Sequence, residues 1–130
     1  MIYQVDTICA QATAVGSGGI AIIRISGPQA LSDAEKVFFP YKKKNGLWKP
    51  RYMYLGEILS SDQLIDQALG VYFRAPNSYT GEDVFELHCH GGIQAAKMTL
   101  DLLTSLRVLQ KRPIRADLHE SSFLRKELPL

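Results

Sequence analysis

The stretch Asn77–Gly92, which reads NSYTGEDVFELHCHGG, constrains the fold of this chain more than any other. Polar and apolar residues alternate in its second half, and successive side chains of a strand point to opposite faces. One face therefore carries apolar residues, which are Phe85, Leu87 and Cys89. The other face carries one acid and two imidazoles, which are Glu86, His88 and His90. The pattern predicts a strand with one side on a core and one side available to a small polar ligand.

Hydrophobic periodicity predicts the other elements of the sheet. Further strands are expected at Asp6–Thr13, Ile20–Ser26, Tyr52–Ile58 and Leu64–Arg74, with a short edge strand at Ile114–Ala116. The short Ser60–Asp62 link makes the third and fourth strands antiparallel. The second strand is apolar on both faces except at Arg24, which predicts burial on both sides.

Two helices complete the predicted fold. The first begins after the capping sequence Ser26-Gly27-Pro28 and runs to about Phe38, where Pro40 ends it. The second follows Gly91-Gly92 and has an apolar stripe, which consists of Ile93, Ala96, Leu100, Leu102, Leu103 and Leu106. We therefore predict an α+β domain over residues 1–116, in which a single mixed or antiparallel sheet of about five strands packs with two helices. Residues 117–130 form a C-terminal tail, which is expected to begin a further helical segment.

Composition limits the classes of function. The hydrophobic fraction of 46% and the charged fraction of 22% are ordinary for a soluble globular domain, and a net charge of +2 does not by itself indicate a nucleic acid or membrane partner. No apolar run has the length of a membrane span, and no signal peptide is recognised. The two cysteines, Cys9 and Cys89, do not form a disulfide framework, so a cytoplasmic location is expected.

Arg24 and Glu86 are the candidate binding residues, because Arg24 interrupts an otherwise apolar strand and Glu86 interrupts apolar neighbours on another central strand. A buried guanidinium must be paired, and Glu86 is the best partner for Arg24. The pair is either a structural ion pair or part of a ligand pocket. In the second case the carboxylate would accept forked N–H bonds, and the guanidinium would contact an acid or a carbonyl.

Other candidate motifs are weaker. Gly16–Ala21 matches the GxGxxA dinucleotide fingerprint, but a strand-like sequence follows it where the fingerprint needs a helix, so a turn or a close approach of a ligand to the backbone is preferred. No Walker-type GxxxxGK[ST] occurs in the 130 residues. Cys89 faces away from His88 and His90, so neither a metal site nor a catalytic thiol is expected. His90, at the strand end, either contacts a ligand or packs in the turn.

A basic, turn-rich segment lies between the first helix and the third strand. Its cations are Lys42, Lys43, Lys44, Lys49 and Arg51, and Trp48 and Tyr52 lie among them. Basic residues with interleaved aromatic residues are typical of surfaces that bind single-stranded RNA. A solvated loop tip is the commoner meaning of such a charge run.

The blocks DTICAQAT, IAIIRISGP and RAPNSYTGEDVFELHCHGG together resemble the N-terminal domain of the tRNA-modification GTPases MnmE (TrmE), over most of residues 5–107. The resemblance implies a domain similar to half of the folate-binding domain of glycine-cleavage T proteins, which binds a 5-formyl-tetrahydrofolate-type cofactor and forms a homodimer. Full-length members act with an MnmG (GidA) flavoprotein to modify the wobble uridine of certain tRNAs, and the folate supplies the one-carbon unit.

The same resemblance implies site residues. The ligand arginine of the family falls on Arg24 and its ligand glutamate on Glu86. A family lysine that helps to hold the folate falls on Glu127, and the Ala14–Gly19 loop lacks the prolines and arginine common in the family. These differences favour an alternative, a dimerisation or docking module without cofactor. A small RNA-binding domain is the other alternative, and no complete catalytic activity is expected in this chain.

Overall fold

The structure, a computed structural model, describes residues 7–12, 19–43, 46–109 and 115–117. Within these residues, seven strands form one sheet with the spatial order β3-β4-β5-β6-β2-β1-β7. The strands are β1 (Ile8–Gln11), β2 (Ala21–Ser26), β3 (Phe38–Pro40), β4 (Tyr54–Ser60), β5 (Gln63–Phe73), β6 (Val84–Cys89) and β7 (Arg115–Asp117). The helices are α1 (Ala30–Glu35) and α2 (Gly92–Leu109). All neighbouring strands are antiparallel except β1 and β7, so the predicted α+β class and mixed sheet are confirmed.

Both helices pack on the same face of the sheet, which we call the helix face. Its core combines apolar side chains of the central strands with those of the helices, including Ile23, Ile25, Phe85, Leu87, Ala34, Ala96 and Leu103. Burial of apolar surface of this kind is the main favourable term in folding. Within the described part of the chain, neither helix covers the opposite face, which we call the open face.

The first helix is shorter than predicted. It ends at Glu35, and Phe38–Pro40 instead forms the edge strand β3, which pairs with β4 through Phe38 and Ile58. Val37 and Phe38 are buried as the helical spacing required, but Val37 reaches the core from the turn after α1 and Phe38 from the strand. Aromatic and β-branched residues favour this conformation, and Pro40 is tolerated because the strand lies at the edge.

Two predictions about Ser26 and its strand were wrong. Ser26 belongs to β2 and does not cap α1, and its hydroxyl oxygen lies 2.6 Å from that of Thr80. The strand is less buried on the open face than predicted, because Ile22 and Arg24 are partly exposed there, although Ser26 on the same face is fully buried. The backbone N–H of Gln29, which precedes α1, donates to the hydroxyl of Thr7 instead.

The second helix begins directly at the end of β6. The two residues before it are held by Asp66 of β5, the strand next to β6, whose Oδ2 accepts the N–H groups of His90 at 2.7 Å and Gly91 at 3.1 Å. A carboxylate at this position also interacts favourably with the helix dipole. The predicted stripe is largely right, but Ile93 is 45% exposed, whereas Ala95 is buried.

Some expectations lie outside the described residues. These are the glycine loop up to residue 18, Ile114, Lys44, the tail from residue 118 and therefore Glu127. Neither described helix is both long enough and apolar enough to cross a membrane.

Candidate functional site

The sheet register brings the two predicted site residues directly opposite each other. β2 and β6 are adjacent and antiparallel, and Arg24 is the partner of Glu86. The predicted alternation of β6 is confirmed, since Phe85, Leu87 and Cys89 are completely buried while Glu86 and His88 keep part of their surface exposed. Arg24 and Glu86 therefore meet at the centre of the open face.

Arg24 and Glu86 form a close ion pair. The Nε and Nη2 groups of Arg24 both donate to Oε2 of Glu86, at 2.9 and 2.7 Å. The two side chains are only 11% and 12% exposed. Hydrogen bonds between charged groups in a partly buried position are stronger than those in water, so this pair has a fixed geometry.

His88 is a third member of the cluster, which sequence reasoning had put on the same face as Glu86 but had not named as a binding residue. Its Nε2 lies 3.1 Å from Oε1 of Glu86, the oxygen that Arg24 leaves free. Residues two apart on a strand share a face, and this spacing was the available signal. Glu86 is thus held from both sides, and a carboxylate with about four acceptor positions keeps limited capacity for a further donor.

The charge of Glu86 depends on these neighbours. Burial acts to raise the pKa of Glu86, but the hydrogen bonds from His88 and Arg24, together with their charges, lower it below its usual value. The carboxylate is therefore ionised at neutral pH and available as a hydrogen-bond acceptor.

A loop from Arg74 to Asp83 lies beside the cluster and contributes an aromatic side chain. The guanidinium carbon of Arg24 lies 4.7 Å from the ring centroid of Tyr79, which is 51% exposed. The loop is fastened by the Ser26–Thr80 contact and by the bond from the N–H of Ala75 to Oδ1 of Asp83 at 2.8 Å. Together the residues form a surface with a cation, a carboxylate, an imidazole and an exposed ring, which suits a planar ligand with hydrogen-bonding edges.

The other candidate residues do not join this cluster. Cys9 and Cys89 are buried in the core, and burial raises the pKa of each thiol to about 12. His90 lies beyond the strand end, and its Nδ1 is 2.9 Å from the carbonyl oxygen of Gln67, so it packs in the turn. Ala21 begins a strand, not a helix, which removes the structural context that the dinucleotide fingerprint needs.

Comparison with known proteins places this geometry in a family. The family model described as "GTP-binding protein TrmE N-terminus" matches residues 7–116. The chain belongs to this family. Arg24, Glu86 and His88 all lie within the matched segment of the TrmE N-terminal family.

Individual relatives give the same result. The chain is similar to the "tRNA modification GTPase MnmE" of Clostridioides difficile (strain 630), with 46% identity over 101 residues, 77% of this chain and 22% of the relative. The proteins of the same name from Shewanella sp. (strain MR-7) and Chlamydia pneumoniae are 45% and 38% identical over 96% of this chain, and 26% and 27% of their own lengths. The chain thus spans about a quarter of the length of these relatives.

Proposed function

We propose that this chain is a folate-binding and dimer-forming module of a tRNA modification GTPase, and that Arg24 and Glu86 hold a 5-formyl-tetrahydrofolate-type ligand. The observation that carries the proposal is the ion pair at the centre of the open face, beside the exposed ring of Tyr79. A reduced pterin ring presents an amide N–H beside an amino group, which is an edge with two donors. An ionised carboxylate such as Glu86 accepts from this edge, while Arg24 and His88 fix its orientation.

The residues present fit such a group in charge and shape. Glu86 is ionised because its pKa is lowered, although burial by itself acts to raise it. The aromatic ring of Tyr79 offers an apolar surface next to the polar edge. When bound, the folate would supply a one-carbon unit. In the longer protein we propose that this serves modification of the wobble uridine of tRNA together with an MnmG-type flavoprotein.

Calorimetric titration of the chain with 5-formyl-tetrahydrofolate tests the proposal. The unsubstituted chain is expected to give saturable heat, and Glu86→Ala and Arg24→Ala should lose it. Glu57→Ala is the matched control, because Glu57 is a half-buried glutamate on β4, away from the cluster, and it should bind like the unsubstituted chain. Circular dichroism should verify that each variant is folded.

Two results would contradict the folate assignment. One is a folded, unsubstituted chain that gives no heat, and the other is full affinity in folded Glu86→Ala. Either result would leave a dimerisation module without cofactor as the better account of the chain.

Dimer formation has an observation of its own. Phe39, Met53 and Leu55 are 44%, 45% and 45% exposed, and Phe39 and Leu55 lie on the open face at its β3–β4 end. Large apolar side chains grouped on one face are typical of protein interfaces. A second copy of this chain is the occupant that we propose for this face.

A further inference from the structure

A second candidate site lies on the helix face, away from the Arg24–Glu86 pair. It is a cavity of about 920 Å³ beside α1, lined by Lys42, Lys43 and described residues between 46 and 54. Its lining combines cations with aromatic rings, and the residues that matter here are Lys42, Lys43, Trp48, Lys49, Tyr52 and Arg74. Arg74, at the end of β5, was not part of the basic segment recognised in the sequence.

The wall of this cavity is built into the core. Trp48 is only 6% exposed, and its ring centroid lies 4.9 Å from that of Tyr54 and 5.1 Å from that of Phe85. Its indole N–H donates to Glu35 at 3.1 Å, and the backbone N–H of Lys49 donates to the hydroxyl of Tyr54 at 2.8 Å. Trp48 therefore anchors the described part of the basic segment to the domain, while Lys42, Leu47 and Lys49 remain exposed to solvent.

Most of the positive charge in the cavity is available to a ligand. Lys43 is used internally, since its Nζ lies 4.2 Å from the Trp48 ring centroid and 3.6 Å from a carboxylate oxygen of Glu35. Among the described residues, no ion pair is formed by Lys42, Lys49 or Arg74. Three exposed cations around one cavity attract an anionic ligand.

An aromatic surface lies among these cations. Tyr52 is 50% exposed, and its ring is held edge-on against Tyr54 with the centroids 4.8 Å apart. Nζ of Lys49 lies 5.7 Å from the Tyr52 ring centroid. A half-exposed ring fixed in this way, with a cation over it, is suited to stack a nucleobase on its exposed part while the phosphate meets the cation.

We infer that this cavity binds a single-stranded segment of RNA, with a base stacked on Tyr52 and phosphates held by Lys42, Lys49 and Arg74. The volume lies in the range of about 300 to 1,000 Å³ that small-ligand sites occupy, which is enough for a nucleotide. An acidic peptide would satisfy the cations but would leave the exposed ring without a stacking partner. The inference does not rest on the folate proposal, because the two sites lie on opposite faces of the sheet.

The test is fluorescence anisotropy of the chain with a short fluorescein-labelled oligouridylate, measured over a range of salt concentrations. Tyr52→Ala is expected to weaken binding about tenfold through loss of stacking, and Tyr52→Phe should retain the affinity of the unsubstituted chain. Lys42→Ala and Lys49→Ala should each weaken binding and reduce the slope of log affinity against log salt by about 0.7. Thermal unfolding should confirm that each variant is folded.

The matched control is Lys97→Ala, which removes the same charge from an exposed position on α2. It should change neither the affinity nor the salt slope by as much as the cavity variants do. Equal effects of Lys97→Ala and Lys49→Ala would overturn the inference in favour of diffuse attraction, and so would the absence of RNA binding. Uridine monophosphate or oligoglutamate that competes as well as the RNA would overturn the assignment to RNA. Glu86→Ala should bind RNA normally, which separates this result from that of the folate titration.

Discussion

At the scale of single residues, Glu86 is the centre of the candidate folate site, because each of its oxygens is held by a different neighbour. Arg24 directs two N–H groups to Oε2, and His88 contacts Oε1. Removal of either neighbour frees one oxygen, whereas removal of the carboxylate leaves a guanidinium and an imidazole facing each other. The stability that the cluster contributes to the fold should therefore depend on the charge of Glu86.

The stability of the fold should depend on pH through this residue. The pKa of Glu86 in the folded chain is lowered from 4.5, because the bonds and charges of His88 and Arg24 outweigh burial, which acts to raise it. The folded state then binds fewer protons than the unfolded state, so the stabilisation is complete above 4.5 and is lost as the pH falls further. Glu86→Gln should cost about 1 to 3 kcal/mol at neutral pH, and its difference from the unsubstituted chain should shrink below pH 4.5.

Urea unfolding at several pH values measures this dependence. Glu57→Gln provides the control, because Glu57 forms no ion pair within the described residues, and its effect should be small. If Glu86→Gln lowers the free energy of unfolding by the same amount at all pH values, the shape of the side chain and not its charge explains the lost stability.

At the scale of elements, the pairing of β5 with its neighbours depends on a residue without a side chain. A Cβ added at Gly70 would lie 2.5 Å from Cε2 of Phe38 and 2.9 Å from Cε1 of Phe85, both in buried rings. Gly70→Ala should therefore destabilise the domain by about 1 to 3 kcal/mol in denaturant unfolding, because the core is already full. Phe38→Leu in the same chain should recover part of this loss.

Gly19→Ala is the matched control for that experiment, since a Cβ at Gly19 would meet nothing within 4 Å. Its effect should stay within about 0.5 kcal/mol. Equal losses for the two glycines would mean that the contact with Phe38 does not limit the packing of β5.

The junction of β6 and α2 is held by a carboxylate from another strand. Asp66 accepts the N–H groups of His90 and Gly91, so Asp66→Ala should lower the free energy of unfolding by about 1 kcal/mol, while Asp66→Asn keeps an acceptor and should cost less. The comparison is with Asp62→Ala, in the exposed β4–β5 turn, which should have little effect. Equal free energies of unfolding for Asp66→Ala and Asp62→Ala would show that the bonds from His90 and Gly91 to Asp66 do not stabilise this junction.

These elements also show where sequence reasoning succeeds. The alternation of apolar and polar residues identified the long strands and put Glu86 and His88 on one face, because side-chain direction in a strand is a local property. The strand β3 was missed because Val37 and Phe38 match a helical spacing equally well, and only pairing with β4 decides between the two. Arg74 was missed as a lining residue of the basic cavity for the same reason, since that contact depends on the register of distant strands.

At the scale of the whole molecule, the two faces of the sheet have different roles. The helix face holds the core and the basic cavity, and the open face holds the ion pair and the exposed apolar side chains of its β3–β4 end. A stable interface buries about 800 Å² on each partner, more than this group of side chains alone provides, so a dimer through this face must extend across several strands. The ion pair would then lie close to the partner.

A charge placed on the open face should therefore separate the proposed dimer. Leu55→Glu introduces a carboxylate at a position that is 45% exposed, and an interface with twofold symmetry contains each substitution twice. Sedimentation over a range of protein concentrations should show a dimer for the unsubstituted chain and a monomer for Leu55→Glu. The matched control is Met98→Glu, at a 43% exposed position on α2, which should remain dimeric. A monomeric unsubstituted chain, or dimers of both variants, would exclude the open face as the interface, because only contact through this face makes Leu55 and Met98 differ.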